Sequence, residues 1–85
     1  MDVTLDARQL DERGQAHAYL KKMLELPEYY GNNLDALYDC LTEMRELNVT
    51  FTRTEGTGGY FPRVYRVFER AAKENPGITG VREYE

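Results

Sequence analysis

The sequence predicts a two-layer α/β domain, a three-stranded parallel sheet packed against helices. Three segments have the features of strands (residues 1–6, 47–53 and 78–84), and helical segments separate them. Strands that are connected through helices pair in parallel, by right-handed crossovers. The first two strands alternate apolar and polar residues, whereas strands of a sheet covered on both faces are continuously apolar, so we expect helices on one face only. The order of the strands does not follow from the sequence.

The first strand and the first helix differ in the period of their apolar residues. Residues 1–6 alternate apolar and polar side chains, which is the period of a strand with one buried face. Residues 14–26 predict a helix, and its buried side consists of Ala16, Leu20, Met23 and Leu24. Pro27 ends this helix because proline disfavours helical geometry in the residue before it. His17 is interpreted as a surface residue of the same helix.

The second helix has one apolar side and one acidic side. Its apolar side consists of Leu34, Leu37, Cys40, Leu41 and Met44, and its acidic side of Asp35, Asp39, Glu43 and Glu46. Like charges four residues apart cost a few tenths of a kcal/mol each, so local stability does not explain the acidic side. An acidic outer face is the usual way in which a surface helix stays soluble, and a cationic partner is the alternative explanation.

The turn before the second helix favours the explanation by a partner. Tyr29 and Tyr30 follow Pro27, and Gly31 together with two asparagines permits tight backbone geometry. Exposed aromatic rings beside a row of acids form a candidate recognition patch, because aromatic side chains contribute strongly to protein interfaces. One of the two tyrosines is expected instead to wedge the two helices together.

The second half of the chain continues the alternation of strands and helices. In residues 47–53, β-branched and apolar residues alternate with polar ones, which supports a strand. Residues 54–59 form a loop, and Pro62 suits the first turn of a third helix. The apolar face of this helix consists of Val64, Val67, Phe68, Ala71 and Ala72. Asn75, Pro76 and Gly77 stop the helix, and residues 78–84 complete the sheet as a short strand.

Length and composition exclude several classes of protein. A chain of 85 residues makes one domain, covering residues 1–85, and a hydrophobic content of 41 % indicates a folded chain rather than a disordered one. A net charge of −4 disfavours nucleic acid as a partner and favours a basic protein. The single cysteine cannot form an internal disulfide, and no segment is long and apolar enough to span a membrane. We therefore expect a cytoplasmic protein that binds neither nucleic acid nor membrane.

Three candidate sites for catalysis or cofactors fail on their spacing or position. Residues 56–59, with the sequence GTGG, lack the spacing of G-x-G-x-x-G and the lysine of a P-loop. Cys40 falls on the apolar side of its helix, which disfavours a thiol nucleophile with His17 as its base. Asp35 and Asp39 lie on a convex face without the further ligands that a metal needs. The sequence therefore predicts no cofactor and no metal, and a small hydrolase or nucleotide-binding enzyme that uses the carboxylate pair is the least favoured alternative.

Three ordered stretches of the chain resemble the barstar family of ribonuclease inhibitors. They are Leu26-Pro27-Glu28-Tyr29-Tyr30-Gly31, Asn33-Leu34-Asp35-Ala36-Leu37 and Asp39-Cys40-Leu41. The resemblance implies a stoichiometric inhibitor that is not an enzyme, and whose acidic helix blocks the active site of a basic, guanyl-specific ribonuclease. The inhibited enzyme would be barnase-like and secreted or delivered by a bacterium, and the complex would be one-to-one. The carboxylates of the helix would take the place of RNA phosphates.

The resemblance also implies roles for individual residues. Asp39 would lie in the phosphate site of the partner, against its catalytic arginines and histidine, and Asp35 would pair with a neighbouring arginine. Tyr29 would pack on the catalytic histidine. Further contacts would come from Gly31 and Asn33 in the turn and from Thr42 in the helix.

The sequence departs from the prototype of the family at three places. Tyr38 and Met44 stand where the prototype has tryptophans, so Tyr38 keeps a ring whereas Met44 gives up an aromatic anchor. Arg70 stands where the prototype has an interface glutamate, with Glu69 next to it, and the sequence does not decide which of the two contacts the partner. The segment before the third helix is shorter, so we expect a small extra helix of the prototype to be missing. A barstar-like adaptor or regulator of another basic protein is the alternative to a ribonuclease inhibitor.

Overall fold

The computed structural model describes residues 1–56 and 59–84, and it confirms the predicted fold class. The elements in chain order are β1 (Asp2–Asp6), a short 3₁₀ helix (Ala7–Leu10), α1 (Arg13–Met23), α2 (Leu34–Thr42), β2 (Leu47–Thr52), α3 (Phe61–Glu74) and β3 (Ile78–Tyr84). The three strands form one parallel sheet with β2 at its centre, between β1 and β3. The strand order, which the sequence left open, therefore follows the order of the chain.

The helices cover one face of the sheet, as the alternation in the strands predicts. Leu47, Val49 and Phe51 of β2 are buried, while the residues between them are partly exposed. Val3 and Leu5 of β1 show the same alternation. A strand buried on one face only needs apolar residues at every second position, and this is the pattern that the sequence contains.

A cluster of aromatic rings fixes α3 on the centre of the sheet. The ring centre of Phe51 lies 5.5 Å from that of Phe61 and 5.2 Å from those of Tyr65 and Phe68, in edge-to-face arrangements. Such arrangements place the positive edge of one ring against the negative face of another. The contacts join the middle strand to three consecutive turns of α3, which fixes the face that this helix presents to the surface.

Two features at the end of α1 and before it differ from the prediction. The helix ends at Met23 and not at Leu26, because Glu25 adopts a left-handed conformation with φ of 53°. The amide of Leu26 then donates a hydrogen bond of 3.0 Å to the carbonyl of Lys21, which closes the helix by a backbone motif before Pro27 is reached. The 3₁₀ helix was not predicted, and the carboxylate of Asp6 caps it by accepting from the amide of Arg8 at 2.9 Å.

The connection from β2 to α3 agrees with the predicted loop as far as it is described. Residues 53–56 and 59–60 are turns and irregular backbone without a helix, whereas Thr57 and Gly58 of the predicted loop lie outside the described residues. Pro62 occupies the first turn of α3, as predicted. In β3, Gly80 has φ of 68° and sits at a register shift against β2, where a Cβ atom would collide with Oδ1 of Asn48.

Candidate functional site

Asn33 fixes the start of the acidic helix and the turn before it. Its Oδ1 accepts a hydrogen bond of 2.7 Å from the amide of Ala36, and its Nδ2 donates one of 3.1 Å to the carbonyl of Gly31. An asparagine at this position satisfies one of the amides that the first turn of a helix leaves without a partner. The predicted site residues Gly31 and Asn33 therefore hold α2 in position relative to the tyrosine turn.

The two sides of α2 are as predicted within residues 34–42, but the helix is shorter than predicted. It ends at Thr42, so Glu43 is its C-cap, and Met44 and Glu46 lie beyond it in the connection to β2. Leu37 and Leu41 are buried, whereas Asp35 and Asp39 are exposed on the opposite side, one helical turn apart. Thr42 is half-buried, and its hydroxyl donates a hydrogen bond of 2.9 Å to the carbonyl of Asp39. The burial of the two leucines forces the two carboxylates outward, because a helix has only 3.6 residues per turn.

The two adjacent tyrosines have opposite environments, as the sequence led us to expect. The side chain of Tyr29 is 88 % exposed, whereas that of Tyr30 is 5 % exposed. The hydroxyl of Tyr30 lies 2.7 Å from Nδ1 of His17 in α1. Tyr30 is thus the residue that joins the turn to the first helix, and Tyr29 is the residue that the turn presents to the surface.

The interpretation of His17 as a surface residue is wrong. Its side chain is 1 % exposed, with Nδ1 against the hydroxyl of Tyr30 and Nε2 at 2.7 Å from the hydroxyl of Tyr60. Burial lowers the pKa of His17, and the nearby positive charge of Arg13 lowers it further. The signal that sequence reasoning missed is the spacing of His17 from the buried Leu20 and Leu24, three and seven residues further on.

A groove between the tyrosine turn and α2 brings together several of the predicted site residues. We call it the Asp39 groove; it has a volume of about 580 Å³ and lies between residues 24–31 and one flank of α2. Its lining includes Tyr29, Gly31, Asp39 and Met44. Met44 is half-buried there, so it contributes an apolar wall without an aromatic ring.

A second groove lies on the other flank of α2, against α3. We call it the arginine cleft; it has a volume of about 430 Å³ and is lined by Leu34, Asp35, Tyr38, Arg63, Arg66, Val67 and Arg70. The guanidinium of Arg70 lies 5.3 Å from the centre of the Tyr38 ring, which is a cation–π distance. Arg63 and Arg66 were not among the predicted site residues, although their spacing from Arg70 places all three on one face of a helix.

Glu69 and Arg70 line two different depressions, which share Arg66. Arg70 lines the arginine cleft beside Asp35 and Tyr38, whereas Glu69 lines a separate depression with Tyr65 and Glu83 of β3. Of the ten predicted site residues, the structure therefore gathers those of the turn, those of α2 and Arg70 around the acidic helix. Glu69 does not line the arginine cleft, but it lies in the depression next to it.

The environment of Cys40 opposes a catalytic thiol. Burial raises the pKa of the Cys40 thiol, and the carboxylates of Glu43 and Asp39 raise it further, so the reactive thiolate is disfavoured. Both ring nitrogens of His17 are occupied by tyrosine hydroxyls and not by this thiol. In residues 1–56 and 59–84, no group of three or more histidine, cysteine, aspartate or glutamate side chains could hold a metal ion.

The fold and this surface define a small α/β domain that exposes an acidic helix between two grooves. No helix in the described ranges combines the length and apolarity that a membrane crossing requires. The chain belongs to the Barstar family, because the family model described as "Barstar (barnase inhibitor)" matches residues 1–77. A protein of Bacillus subtilis (strain 168) named "Putative ribonuclease inhibitor YrdF" is 37 % identical to it over 79 residues, covering 85 % of this chain and 86 % of that protein.

Proposed function

We propose that this protein is a one-to-one inhibitor that blocks the active site of a basic, guanyl-specific, barnase-like ribonuclease with the acids of α2. The family and the name of the relative support a role in ribonuclease inhibition. The observation that carries the proposal is the exposure of Asp35 and Asp39 on one side of α2, beside a Tyr29 ring that is 88 % exposed. Such a surface offers negative charge and an aromatic anchor together.

The charge of the site fits competition with RNA. A ribonuclease must present cations to bind the phosphates of its substrate, so carboxylates at a matching spacing bind the same cations. In the described part of the chain, the ion pairs join Lys21 to Glu28 and Arg53 to Asp6, which leaves the carboxylates of Asp35 and Asp39 available. Asp39 would take the phosphate site, and Asp35 would pair with a neighbouring cation.

The tyrosines and the turn would supply the short-range contacts. Tyr29 would stack on the catalytic histidine of the ribonuclease, and Tyr38 and Met44 would pack at the two flanks of α2. Tyrosine is common among the residues that dominate binding energy, because its ring buries a large area at a low cost in conformational entropy. Gly31, Asn33 and Thr42 would add contacts from the turn and from the helix.

The biological setting of the proposal is protection in the cytoplasm. The single domain of residues 1–85 would neutralise a ribonuclease that a bacterium secretes or delivers. Binding would remove the activity without any chemistry on the inhibitor, so one molecule would silence one enzyme.

A titration of RNA cleavage tests the proposal. A panel of guanyl-specific ribonucleases that includes barnase is mixed with increasing inhibitor, and RNA cleavage should fall to near zero at an equimolar ratio for at least one enzyme. Asp39→Ala should weaken that complex by about 2–5 kcal/mol, because it leaves cations of the partner buried and unpaired. This range is the general one for truncating one partner of a buried charge pair, and the barnase–barstar interface is itself one of the examples behind it. Full activity of every enzyme in excess inhibitor would overturn the proposal.

A matched acid and a binding measurement separate the alternatives. Asp2 is exposed on β1, so Asp2→Asn changes the net charge by the same amount as Asp39→Ala and should leave inhibition unchanged. Binding of a basic ribonuclease without loss of its activity would favour the adaptor over the inhibitor. In that case calorimetry would find a complex while the cleavage assay would not.

A further inference from the structure

A row of arginines runs along α3 beside the acidic helix. Arg63, Arg66 and Arg70, which we call the arginine row, are three and four residues apart, so they share one face of α3, and all three are exposed. All three line the arginine cleft together with Asp35 and Tyr38 of α2. A chain with a net charge of −4 therefore concentrates positive charge directly beside its acidic helix.

The arginine row has no carboxylate partner in the part of the chain that the structure describes. The ion pairs there join Lys21 to Glu28 at 3.7 Å and Arg53 to Asp6 at 3.8 Å, and neither includes an arginine of the row. Asp35 shares the cleft with the row but forms no ion pair with it in the same described residues. Arg66 also lines the depression that holds Glu69 and Glu83, but no ion pair of the described residues joins it to either carboxylate. Like charges on one helical face repel one another, and within the described residues no ion pair offsets that repulsion at the row.

One arginine of the row is already held in place for binding. The guanidinium of Arg70 lies over the Tyr38 ring, 5.3 Å from its centre. The contact restricts the side chain, so less conformational entropy is lost when Arg70 binds a partner. A guanidinium also forms two parallel hydrogen bonds to a carboxylate, which makes arginine suited to recognising aspartate and glutamate at an interface.

We propose that the partner carries an acidic segment beside its cationic cleft, and that aspartate or glutamate side chains of this segment pair with the arginine row. This inference rests on the proposed function, because it assigns a second contact of opposite charge to the same ribonuclease. The cations of the partner would pair with Asp35 and Asp39 on α2, while its acidic side chains would pair with the arginine row on the neighbouring α3. A surface of both signs fixes the orientation of the partner and repels a ribonuclease whose matching flank is basic.

An RNA strand is the less suitable occupant of the row. Asp35 lies in the same cleft, and Asp39 projects from the same helix, so a phosphate backbone that followed the row would meet carboxylates at its side. Nucleic-acid sites are typically basic across the whole contact surface. An acidic protein segment needs only a narrow basic strip, which is what α3 presents.

The first experiment compares two variants with the same change of charge. One carries Arg63→Gln, Arg66→Gln and Arg70→Gln, and the control carries Arg8→Gln, Arg53→Gln and Arg82→Gln, three arginines outside the arginine cleft. The probe is the ribonuclease of the panel that the parent protein inhibits most strongly. The row variant should associate with it about tenfold more slowly, because steering is lost, while the control should stay within about twofold of the parent. A row variant that associates as fast as the control would overturn the inference while leaving inhibition itself intact.

The second experiment decides the chemistry of the row without any ribonuclease. A short glutamate-rich peptide and a single-stranded RNA oligonucleotide are titrated separately into ¹⁵N-labelled protein, and the Nε–H signals of the arginines are followed by NMR. The peptide should shift the signals of the arginine row more than those of Arg8 and Arg82, and more than RNA does. Larger shifts with RNA would identify a nucleic-acid site, and unmoved row signals with both probes would show that the row binds neither; either result overturns the inference. If no ribonuclease is inhibited but the peptide binds the row, the proposed function fails while the assignment of the row to carboxylates stands.

Discussion

Replacing Tyr30 with phenylalanine tests the difference between the two adjacent tyrosines. The hydroxyl of Tyr30 lies 2.7 Å from Nδ1 of His17, and both side chains are buried. Removing the hydroxyl leaves that ring nitrogen without its partner in a place where water has little access. An unsatisfied buried polar group costs about 1–3 kcal/mol, so the free energy of unfolding should fall by that amount.

Urea unfolding followed by far-ultraviolet circular dichroism measures the effect, since the chain has no tryptophan to report by fluorescence. A loss of about 2 kcal/mol corresponds to a fall of about 8–16 °C in the melting temperature for a domain of this size. Tyr29→Phe is the matched control, because its hydroxyl sits on a side chain that is 88 % exposed. The control should stay within about 0.5 kcal/mol of the parent.

The reasoning would be refuted by equal urea midpoints for the two phenylalanine variants. It would also be refuted if Tyr29→Phe were the less stable of the two. Binding to a ribonuclease should depend on Tyr29 instead. Tyr29→Ala removes the exposed ring, so it should weaken the complex while leaving the urea midpoint of unfolding unchanged. A variant of Tyr29 that both unfolds easily and binds weakly would show that this side chain supports the fold.

Three further predictions concern pH, the helix cap and salt. Burial lowers the pKa of His17 below its ordinary value of 6.5, so the unfolded chain binds the proton more tightly. The contribution of His17 to stability should therefore be complete above about pH 6.5 and should decline below it, by at most about 1.4 kcal/mol per pH unit. Urea unfolding measured between about pH 5 and pH 8 should show this loss of stability in the parent and not in His17→Gln. An equal dependence of the free energy of unfolding on pH in the two proteins would contradict it. Asn33→Ala should cost about 1 kcal/mol in thermal unfolding because it removes the bond to the amide of Ala36, while Asn33→Asp should keep the cap, and a neutral alanine variant would show that the cap contributes nothing. The association rate with an inhibited ribonuclease should fall by at least about tenfold between low and high ionic strength, with a much smaller change in dissociation, and stopped-flow rates indifferent to salt would refute steering by α2.

The accuracy of the sequence prediction depended on how local each feature is. The burial of Leu37 and Leu41 and the exposure of Asp35 and Asp39 follow from the period of one helix, so the sequence predicted them correctly. His17 was misplaced because its partners, Tyr30 and Tyr60, come from segments 13 and 43 residues away. No local pattern indicates that two distant hydroxyls will meet the same imidazole.

The end of α1 shows a second limit. Pro27 correctly indicated that a helix cannot continue, but the chain left the helix earlier through the left-handed conformation of Glu25. A glutamate in that conformation is uncommon, and a glycine there would have revealed the stop.

The sequence by itself determined the alternation of strands and helices, the acidic side of α2 and the likeness to the barstar family. It also indicated that one of two adjacent tyrosines would be buried. Only the tertiary structure decided that Tyr30 is the buried one, that the arginine row borders Asp35, and that Glu69 lines a depression other than the arginine cleft. The physical reason is that a helical period separates an inner face from an outer face but does not say which neighbour each flank will meet. In this protein the packing of Phe51 against α3 sets that rotation, and with it the charge beside the acidic helix.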